Sequence, residues 1–295
     1  MILAITGATG FVGGHVLEQA LAAGHEVRAL TRRPRPPREG VTWVAGDLAD
    51  PGDLAVGADV VIHVAGVVNA PDRAGFAAGN VDGTRAVLAA AERAGVARFV
   101  HVSSLAAREP ELSDYGWSKA EAERLVEASP LAWDIVRPPA VYGPGDAEQA
   151  DLWRLAGRGL ALLPPPGRMS AIMVEDLAAL LLALATSPGR HALYEADDGQ
   201  AITHRDYARE IGRALGRRVV TVPLPASFLR LGARIDRLLR GPRARLTPDR
   251  ASYLVHPDWT CDPTRRPPPD LWRPRYTLDQ GMMATAAWYR AEGLI

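Results

Sequence analysis

The chain has little cysteine and almost no lysine. Its one cysteine, Cys261, excludes an internal disulfide and a cage of thiolates around a metal, which fits a reducing compartment. Its 7 histidines are scattered without a pair at ligand spacing. We therefore expect no structural metal and a cytoplasmic location.

The sequence also lacks net charge and long hydrophobic runs. Its 34 basic and 34 acidic residues cancel, so no global field attracts nucleic acid, and none is expected as a partner. The longest apolar run, at 177–185, is too short for a transmembrane segment. The start, MILAITGATGFVGG, lacks a basic region and predicts a strand entering a loop, not a signal peptide.

The first half of the chain alternates between two hydrophobic periods. Short apolar runs rich in valine and isoleucine are separated by segments with helical spacing, such as GGHVLEQALAAG and GTRAVLAAAERAG. This alternation predicts an α/β protein with a Rossmann-type, doubly wound parallel sheet. The predicted strands are MILAIT, HEVRALT, VTWVAG, DVVIHVAG, RFVHVSS and WDIVRPP.

The pattern changes after the turn-rich stretch YGPGDAEQ. Later segments carry proline clusters and amphipathic helices, except that SAIMVEDLAALLLALATSPG predicts one more strand and helix of the sheet domain. We expect an NAD(P)-binding domain at 1–142 and 171–190. A smaller, mostly helical lid at 143–170 and 191–295 would bind the substrate.

A glycine-rich loop, TGATGFVGG, follows the first predicted strand and opens the first helix. A tight turn, close approach of a pyrophosphate to bare backbone, and close helix–strand packing each require glycine. The helix N-terminus offers free N–H groups and a positive dipole end to phosphates. The residues predicted to bind the dinucleotide here are Gly7, Thr9, Gly10, Phe11, Val12 and Gly13.

The second predicted strand ends without the acidic residue that usually bonds the ribose of NAD. Arg32 and Arg33 follow it instead. Guanidinium groups suit a 2′-phosphate by charge and by bidentate geometry, so NADP(H) is favoured. A solvated basic loop, with NAD(H) as cofactor, stays open as the alternative.

The only lysine, Lys119, lies four residues after Tyr115 in the stretch YGWSK, whereas every other basic residue is arginine. In a helix this spacing places the two side chains on one face, one turn apart. The pattern points to chemistry that requires an ammonium beside a phenol.

Taken in order, the motifs TGATGFVG, GDLAD, HVAG, NVDGT, FVHVSS, YGWSK and VRPPAVYGPG resemble the short-chain dehydrogenase/reductase superfamily. The resemblance is to its extended or atypical branch, the NAD-dependent epimerase/dehydratase family. That branch includes 3β-hydroxysteroid dehydrogenases and dihydroflavonol reductase-like members. It extends from the N-terminus to about residue 176.

The resemblance implies a catalytic triad of Ser104, Tyr115 and Lys119. It also places Asn80 and Thr84 in the long helix behind the active site. Further positions implied to contact the cofactor, besides Tyr115 and Lys119, are Asp47 and Leu48 near the adenine, Val64, Ala65 and Gly66 beneath the cofactor, and Pro138 near the nicotinamide.

The chemistry explains these residue types. A tyrosine with its ordinary pKa of about 10 is a poor base at neutral pH, and a neighbouring ammonium favours the phenolate. Lys119 would also hold the nicotinamide ribose, and Ser104 would hydrogen-bond the substrate oxygen as charge develops. The cofactor performs the redox step.

Departures from the family pattern narrow the range of expected substrates. Ala140 stands where sugar-nucleotide enzymes of this kind place an asparagine, and Leu105 and Ala106 replace the acidic pair of the dehydratases. These features predict an oxidoreductase that interconverts a secondary alcohol and a ketone on a fairly apolar small molecule. A nucleotide-sugar epimerase or dehydratase, and a non-catalytic dinucleotide-binding sensor, are the alternatives.

The segment ASFLRLGARIDRLLRG at 226–241 predicts a helix with an apolar stripe and an arginine stripe. Packing of the apolar stripe on its own domain is the favoured interpretation. Contact with a membrane surface is the alternative. A homodimer is left open.

Overall fold

The structure is a computed structural model that describes residues 1–241, 244 and 246–295. The strands in chain order are β1 Ile2–Thr6, β2 Glu26–Thr31, β3 Val41–Ala45, β4 Val60–His63, β5 Arg98–Val102, β6 Ala132–Arg137, β7 Ala140–Tyr142, β8 Leu160–Leu163, β9 Arg168–Met169, β10 Ala171–Met173, β11 Ala192–Glu195, β12 Ile202–Thr203, β13 Val220–Pro223 and β14 Asp258–Trp259.

The α-helices are α1 Phe11–Ala22, α2 Arg73–Phe76, α3 Gly83–Arg93, α4 Asp114–Glu127, α5 Ala150–Gly157, α6 Val174–Thr186, α7 His204–Leu215, α8 Ala226–Arg240, α9 Pro248–Leu254 and α10 Leu278–Ala291. A π-helical turn, Ala77–Asp82, joins α2 to α3. Short 3-10 turns lie at Leu105–Arg108 and Pro263–Arg265.

The central sheet has the strand order β11-β6-β5-β4-β1-β2-β3 among the described residues, and every neighbouring pair is parallel. The strands near its centre are buried on both faces, which explains why their sequences are continuously apolar. The predicted doubly wound fold is confirmed, and the six predicted runs form β1 to β6.

Two layers of helices cover the sheet. On one face α1 and α6 pack through residues such as Val16, Leu177 and Leu181. On the other face α3 and α4 pack through Val87 and Val126. The chain reverses its strand order between β1 and β4, so a crevice opens at the carboxyl ends of these strands, where ligands of this fold bind.

Two details of the predicted organisation are corrected. The strand predicted from SAIM is β10, which pairs with β7 in a small separate sheet. The seventh strand of the main sheet is β11, although it lies within 191–295, the range predicted as lid. The four residues of β11 contain no strong apolar run, so their sequence shows too little periodicity to predict a strand of the main sheet. Only the pairing with β6 identifies it.

The second half of the chain builds a hydrophobic core of its own. Trp153 of α5 stacks on Tyr289 of α10 with ring centroids 5.0 Å apart, and Met282 is fully buried beside them. Ile211 of α7 joins the same cluster. A separate core supports the division into two parts, whose domain limits otherwise stay a prediction. Within the described residues, no helix combines the length and the hydropathy that a membrane span requires.

Candidate active site

The residues predicted to act on cofactor and substrate converge on one edge of the sheet. They follow the carboxyl ends of the strands or lie on α1 and α4. The loop after β1 and the first turn of α1 contain Gly7, Thr9, Gly10, Phe11, Val12 and Gly13. Strand β2 is followed by Arg32 and Arg33, β3 by Asp47 and Leu48, β4 by Val64, Ala65 and Gly66, β5 by Ser104, and β6 by Pro138. Helix α4 contains Tyr115 and Lys119.

The glycine loop makes a tight turn between β1 and α1. Gly7 has φ +76°, and a Cβ on it would lie 2.9 Å from the backbone nitrogen of Ala65. A Cβ on Gly13 would lie 2.1 Å from the carbonyl oxygen of Gly7, so only glycine lets the helix approach the strand. Gly10 is exposed at the start of α1, in extended backbone without a side-chain cap. This leaves free N–H groups at the helix N-terminus, a geometry that fits a pyrophosphate.

A cleft of about 630 Å³ lies at the ends of β2 and β3. Thr31 ends β2, and its hydroxyl donates to the carbonyl of Arg33 over 2.7 Å. Asp47, across the cleft, accepts the N–H groups of Ala49 and Asp50 at 2.8 and 3.0 Å. The lining residues are Thr31, Arg32, Arg33, Pro34, Arg35, Trp43, Ala45, Gly46, Asp47 and Asp50.

Ser104 and Tyr115 meet at the end of β5. The serine hydroxyl lies close enough to the phenol to influence its pKa, and Ser104 Oγ accepts the N–H of Ala106 at 3.2 Å. Leu105 donates its N–H to the carbonyl of Pro138 at 3.0 Å, which holds Pro138 beside the serine. Burial raises the pKa of Tyr115 above its ordinary value, and the Ser104 hydroxyl opposes this effect. The phenol is therefore protonated at neutral pH.

Lys119 is buried one helical turn after Tyr115, with 4% of its surface exposed. Its ammonium donates to the carbonyl of Val102 over 2.8 Å. A Cβ built on Gly66 would lie 3.8 Å from Nζ, so the ammonium lies near the end of β4. Burial lowers the pKa of Lys119 to about 8, against the opposing effect of the Glu123 carboxylate. The lysine is still mostly charged at pH 7.

Asn80 holds the segment after β4 against α4. Its side-chain oxygen accepts the N–H of Val67 at 2.6 Å, and its amide donates to the Val67 carbonyl and to Ser118 Oγ, each at 2.9 Å. Ser118 in turn donates to the carbonyl of Tyr115 at 2.8 Å. Asn80 lies in the π-helical turn, a geometry that often occurs at functional sites, while Thr84 lies in α3.

A buried ionic network beneath the site was not predicted from the sequence. Arg137, at the end of β6, binds both oxygens of Glu123 at 2.8 and 2.6 Å and lies 3.6 Å from Glu195 of β11. Ser103 also donates to Glu123. The four-residue interval between Lys119 and Glu123 was the only available signal.

The second half of the chain contributes polar groups near Tyr115 that the sequence did not predict. Asp249 of α9 accepts the N–H of Asp114, the first residue of α4. The Tyr253 ring lies 6.0 Å from the Tyr115 ring, and an ion pair of 3.7 Å joins Arg250 to Glu148. The lid side is therefore less uniformly apolar than the motif departures indicated. Within the residues described here, no group of three or more histidine, cysteine or acidic side chains could hold a metal.

The fold and the residues at its edge define an NAD(P)-dependent enzyme of the extended short-chain dehydrogenase/reductase type. Residues 7–188 match the family model described as NAD(P)H-binding, and the chain belongs to that family. The resemblance found in the motifs is confirmed.

The chain is 40% identical to a ceramide reductase from Caulobacter vibrioides, over 99% of this chain and 95% of that protein. It is 28% identical to a 2-alkyl-3-oxoalkanoate reductase from Stenotrophomonas maltophilia, over 96% and 97% of the two chains. The solved structure of MoeE5 in complex with UDP-glucose and NAD superposes with a TM-score of 0.77 over 99% of each chain, at 24% identity. These comparisons show an oxidoreductase or epimerase that uses NAD(P).

Proposed function

We propose that this enzyme interconverts a ketone and a secondary alcohol, with Ser104, Tyr115 and Lys119 as its catalytic residues. The observation that carries the proposal is the closeness of Ser104 and Tyr115 at the end of β5, with the ammonium of Lys119 buried one turn further along α4 and bound to the carbonyl of Val102. The phenol and the serine hydroxyl can then contact one substrate oxygen together.

The raised pKa of Tyr115 suits the reductive direction. A protonated phenol is a general acid, so Tyr115 donates its proton to the carbonyl oxygen while the carbonyl carbon gains a hydride and becomes a carbinol. Ser104 donates a hydrogen bond to the same oxygen as negative charge develops there. A bound nicotinamide supplies the hydride. In the oxidative direction Tyr115 takes the proton back.

The cofactor assignment favours NADP(H). The exposed Arg32 and Arg33 line the cleft after β2, and no carboxylate ends that strand. A 2′-phosphate in this cleft would gain charge-assisted hydrogen bonds from the guanidinium groups. Gly7, Gly10 and Gly13 would hold the pyrophosphate, and Lys119 would donate to the nicotinamide ribose beside Gly66.

We propose a long-chain lipid ketone of the ceramide class as substrate. The full-length similarity to a ceramide reductase supports this class. So does Ala140, because a methyl group offers no hydrogen bond to a sugar-nucleotide diphosphate. The two relatives just named are both reductases of their named substrates, which favours reduction over epimerisation.

The test is turnover of NADPH with a long-chain 3-keto lipid dispersed in detergent. Tyr115→Phe should lose at least a hundredfold in kcat, because general acid catalysis contributes about 10²–10⁴-fold. Its affinity for NADPH should stay nearly unchanged. Tyr276→Phe removes a hydroxyl outside the site and should behave as the wild type.

The rival functions give different results in the same assay. Turnover of UDP-sugars alone would establish the epimerase alternative, and tight NADPH binding without any turnover would establish the sensor alternative. Full activity in Tyr115→Phe would remove the tyrosine from the mechanism.

A further inference from the structure

Helix α8 exposes most of its large apolar side chains. Its inner side is held by Leu229 and Ala233, which are buried. Its outer side, here called the α8 apolar face, contains Phe228, Leu231, Ile235, Leu238 and Leu239, with 65%, 54%, 48%, 85% and 77% of their surfaces exposed. The favoured sequence interpretation, packing of this stripe on its own domain, is therefore wrong.

The exposed residues form one continuous face. At about 100° per residue, they fall within an arc of about 100° on the side away from the protein. Single exposed apolar residues are normal, but a contiguous cluster of this kind usually marks an interaction surface. Leu162, Val220 and Val222 of β8 and β13 are further exposed apolar residues, and β13 ends three residues before α8 begins.

Basic charge accompanies this apolar face. Four exposed arginines lie on α8, with Asp236 as its one acidic residue. Arg240 pairs with Asp236 at 3.2 Å. The whole chain has a formal charge of zero, so this is a local concentration of positive charge. The arginines are Arg230, Arg234, Arg237 and Arg240.

The helix is joined to the loop that follows β4. Arg237 donates to the carbonyl of Pro71 at 3.2 Å, and Asn69 donates to the carbonyl of Ala244, just beyond α8, at 3.1 Å. This links α8 to the loop that leaves β4 after Gly66. In that loop Val68 is also exposed. A surface that binds α8 would therefore lie beside the loop that follows Gly66.

We propose that the α8 apolar face docks on a bilayer that contains anionic phospholipids. Apolar side chains would enter the boundary between head groups and acyl chains, and the arginines would meet the phosphates. A second copy of the chain fits less well, because its α8 carries the same four arginines and only one acidic residue, so it offers them no anionic partner. The proposal does not depend on the proposed function, since binding to a membrane requires no substrate.

The test is vesicle flotation of the purified protein without substrate. Vesicles of phosphatidylcholine mixed with phosphatidylglycerol should bind the wild type, and vesicles of phosphatidylcholine alone should bind it much less. The double variant Leu238→Asp, Leu239→Asp should bind at least tenfold more weakly. So should Arg230→Glu, Arg234→Glu, which leaves the apolar face intact. Met283→Asp is the matched control, because Met283 is 57% exposed on α10, and it should float as the wild type does.

Several outcomes would overturn the proposal. They are a wild type that stays unbound, equal binding to both kinds of vesicle, equal losses in Met283→Asp, or a dimer in sedimentation that disappears in the α8 variants. NADPH titration of each variant verifies that the nucleotide domain is intact. If the double leucine variant fails to bind NADPH, the double arginine variant alone tests the proposal.

Discussion

Lys119 is joined to Val102 by a hydrogen bond of 2.8 Å from its ammonium to the backbone carbonyl. Val102 is the last residue of β5, the strand that leads directly to Ser104, and Lys119 lies on α4 with Tyr115. The lysine therefore connects the strand that presents the serine to the helix that presents the tyrosine. This relationship gives a structural reason why the chain keeps one lysine among its arginines.

We expect Lys119→Arg to fold and to lose at least tenfold in kcat/KM, equivalent to about 1.4 kcal/mol. A guanidinium is longer and planar, so it cannot occupy the buried position beside Val102 and Gly66 as a compact ammonium does. Steady-state kinetics measure the loss. The reciprocal control, Arg124→Lys on the exposed side of α4, should keep wild-type kinetics. Wild-type kinetics in Lys119→Arg would make the lysine an accident of composition.

Glu123→Gln should lower the pKa of Lys119 further below about 8, because it removes the carboxylate that opposes the effect of burial. The ammonium then loses its proton at lower pH, so the alkaline limb of the kcat/KM profile should move down by about one pH unit. Breaking the buried pair with Arg137 should also cost about 3 kcal/mol of unfolding free energy. Glu121→Gln, on the same helix, should change neither quantity. If the alkaline limb stays at the wild-type pH, Glu123 does not influence the pKa of Lys119.

The cofactor preference is tested at Arg32. We expect the wild type to bind NADPH more tightly than NADH, and Arg32→Asp to abolish or invert that preference because a carboxylate repels a 2′-phosphate. Fluorescence titrations with both nucleotides provide the measurement. Arg93→Asp, at the exposed end of α3, serves as the control for net charge. Equal affinities of the wild type for the two nucleotides, or tighter binding of NADH, would contradict the proposed preference for NADP(H).

Two neighbouring glycines of α1 give a matched pair for the glycine turn. Gly13→Ala should destabilise the protein by about 1–3 kcal/mol, because the new Cβ would lie 2.1 Å from the Gly7 carbonyl oxygen. Gly14→Ala should be neutral or stabilise by up to about 1 kcal/mol, since its Cβ has no neighbour nearer than 3.8 Å. Urea unfolding of both variants measures the difference. Equal effects would show that the close helix–strand contact is not required for stability.

The sequence predicted the parts of the fold that have a local signal. Strands such as β4, with four consecutive buried residues, and the glycine turn at Gly7 are encoded by residues adjacent along the chain. Parallel pairing then places their carboxyl ends at one edge. Helical spacing predicts that Tyr115 and Lys119 share one face of α4, whereas their closeness to Ser104 was predicted from the family resemblance.

The remaining features depend on contacts between distant parts of the chain. Arg137 contacts Glu123 and Glu195 only because β6, α4 and β11 pack together, and no hydrophobic periodicity in the sequence predicts these contacts. Asp249 and Asp114, which are joined by a hydrogen bond, lie 135 residues apart in the sequence. The exposure of α8 is a similar case, since amphipathic spacing shows that one face is apolar and not what covers it.

The contact between Asp249 and Asp114 joins α9 to the start of α4, the helix that contains Tyr115 and Lys119. An N-terminal cap of this kind contributes about 1 kcal/mol, which corresponds to a roughly fivefold change in an equilibrium. Asp249 provides an acceptor for the first N–H of α4, and Tyr115, the proposed proton donor, is the next residue along that helix. A displacement of α9 would therefore remove a stabilising contact at the residue that precedes Tyr115.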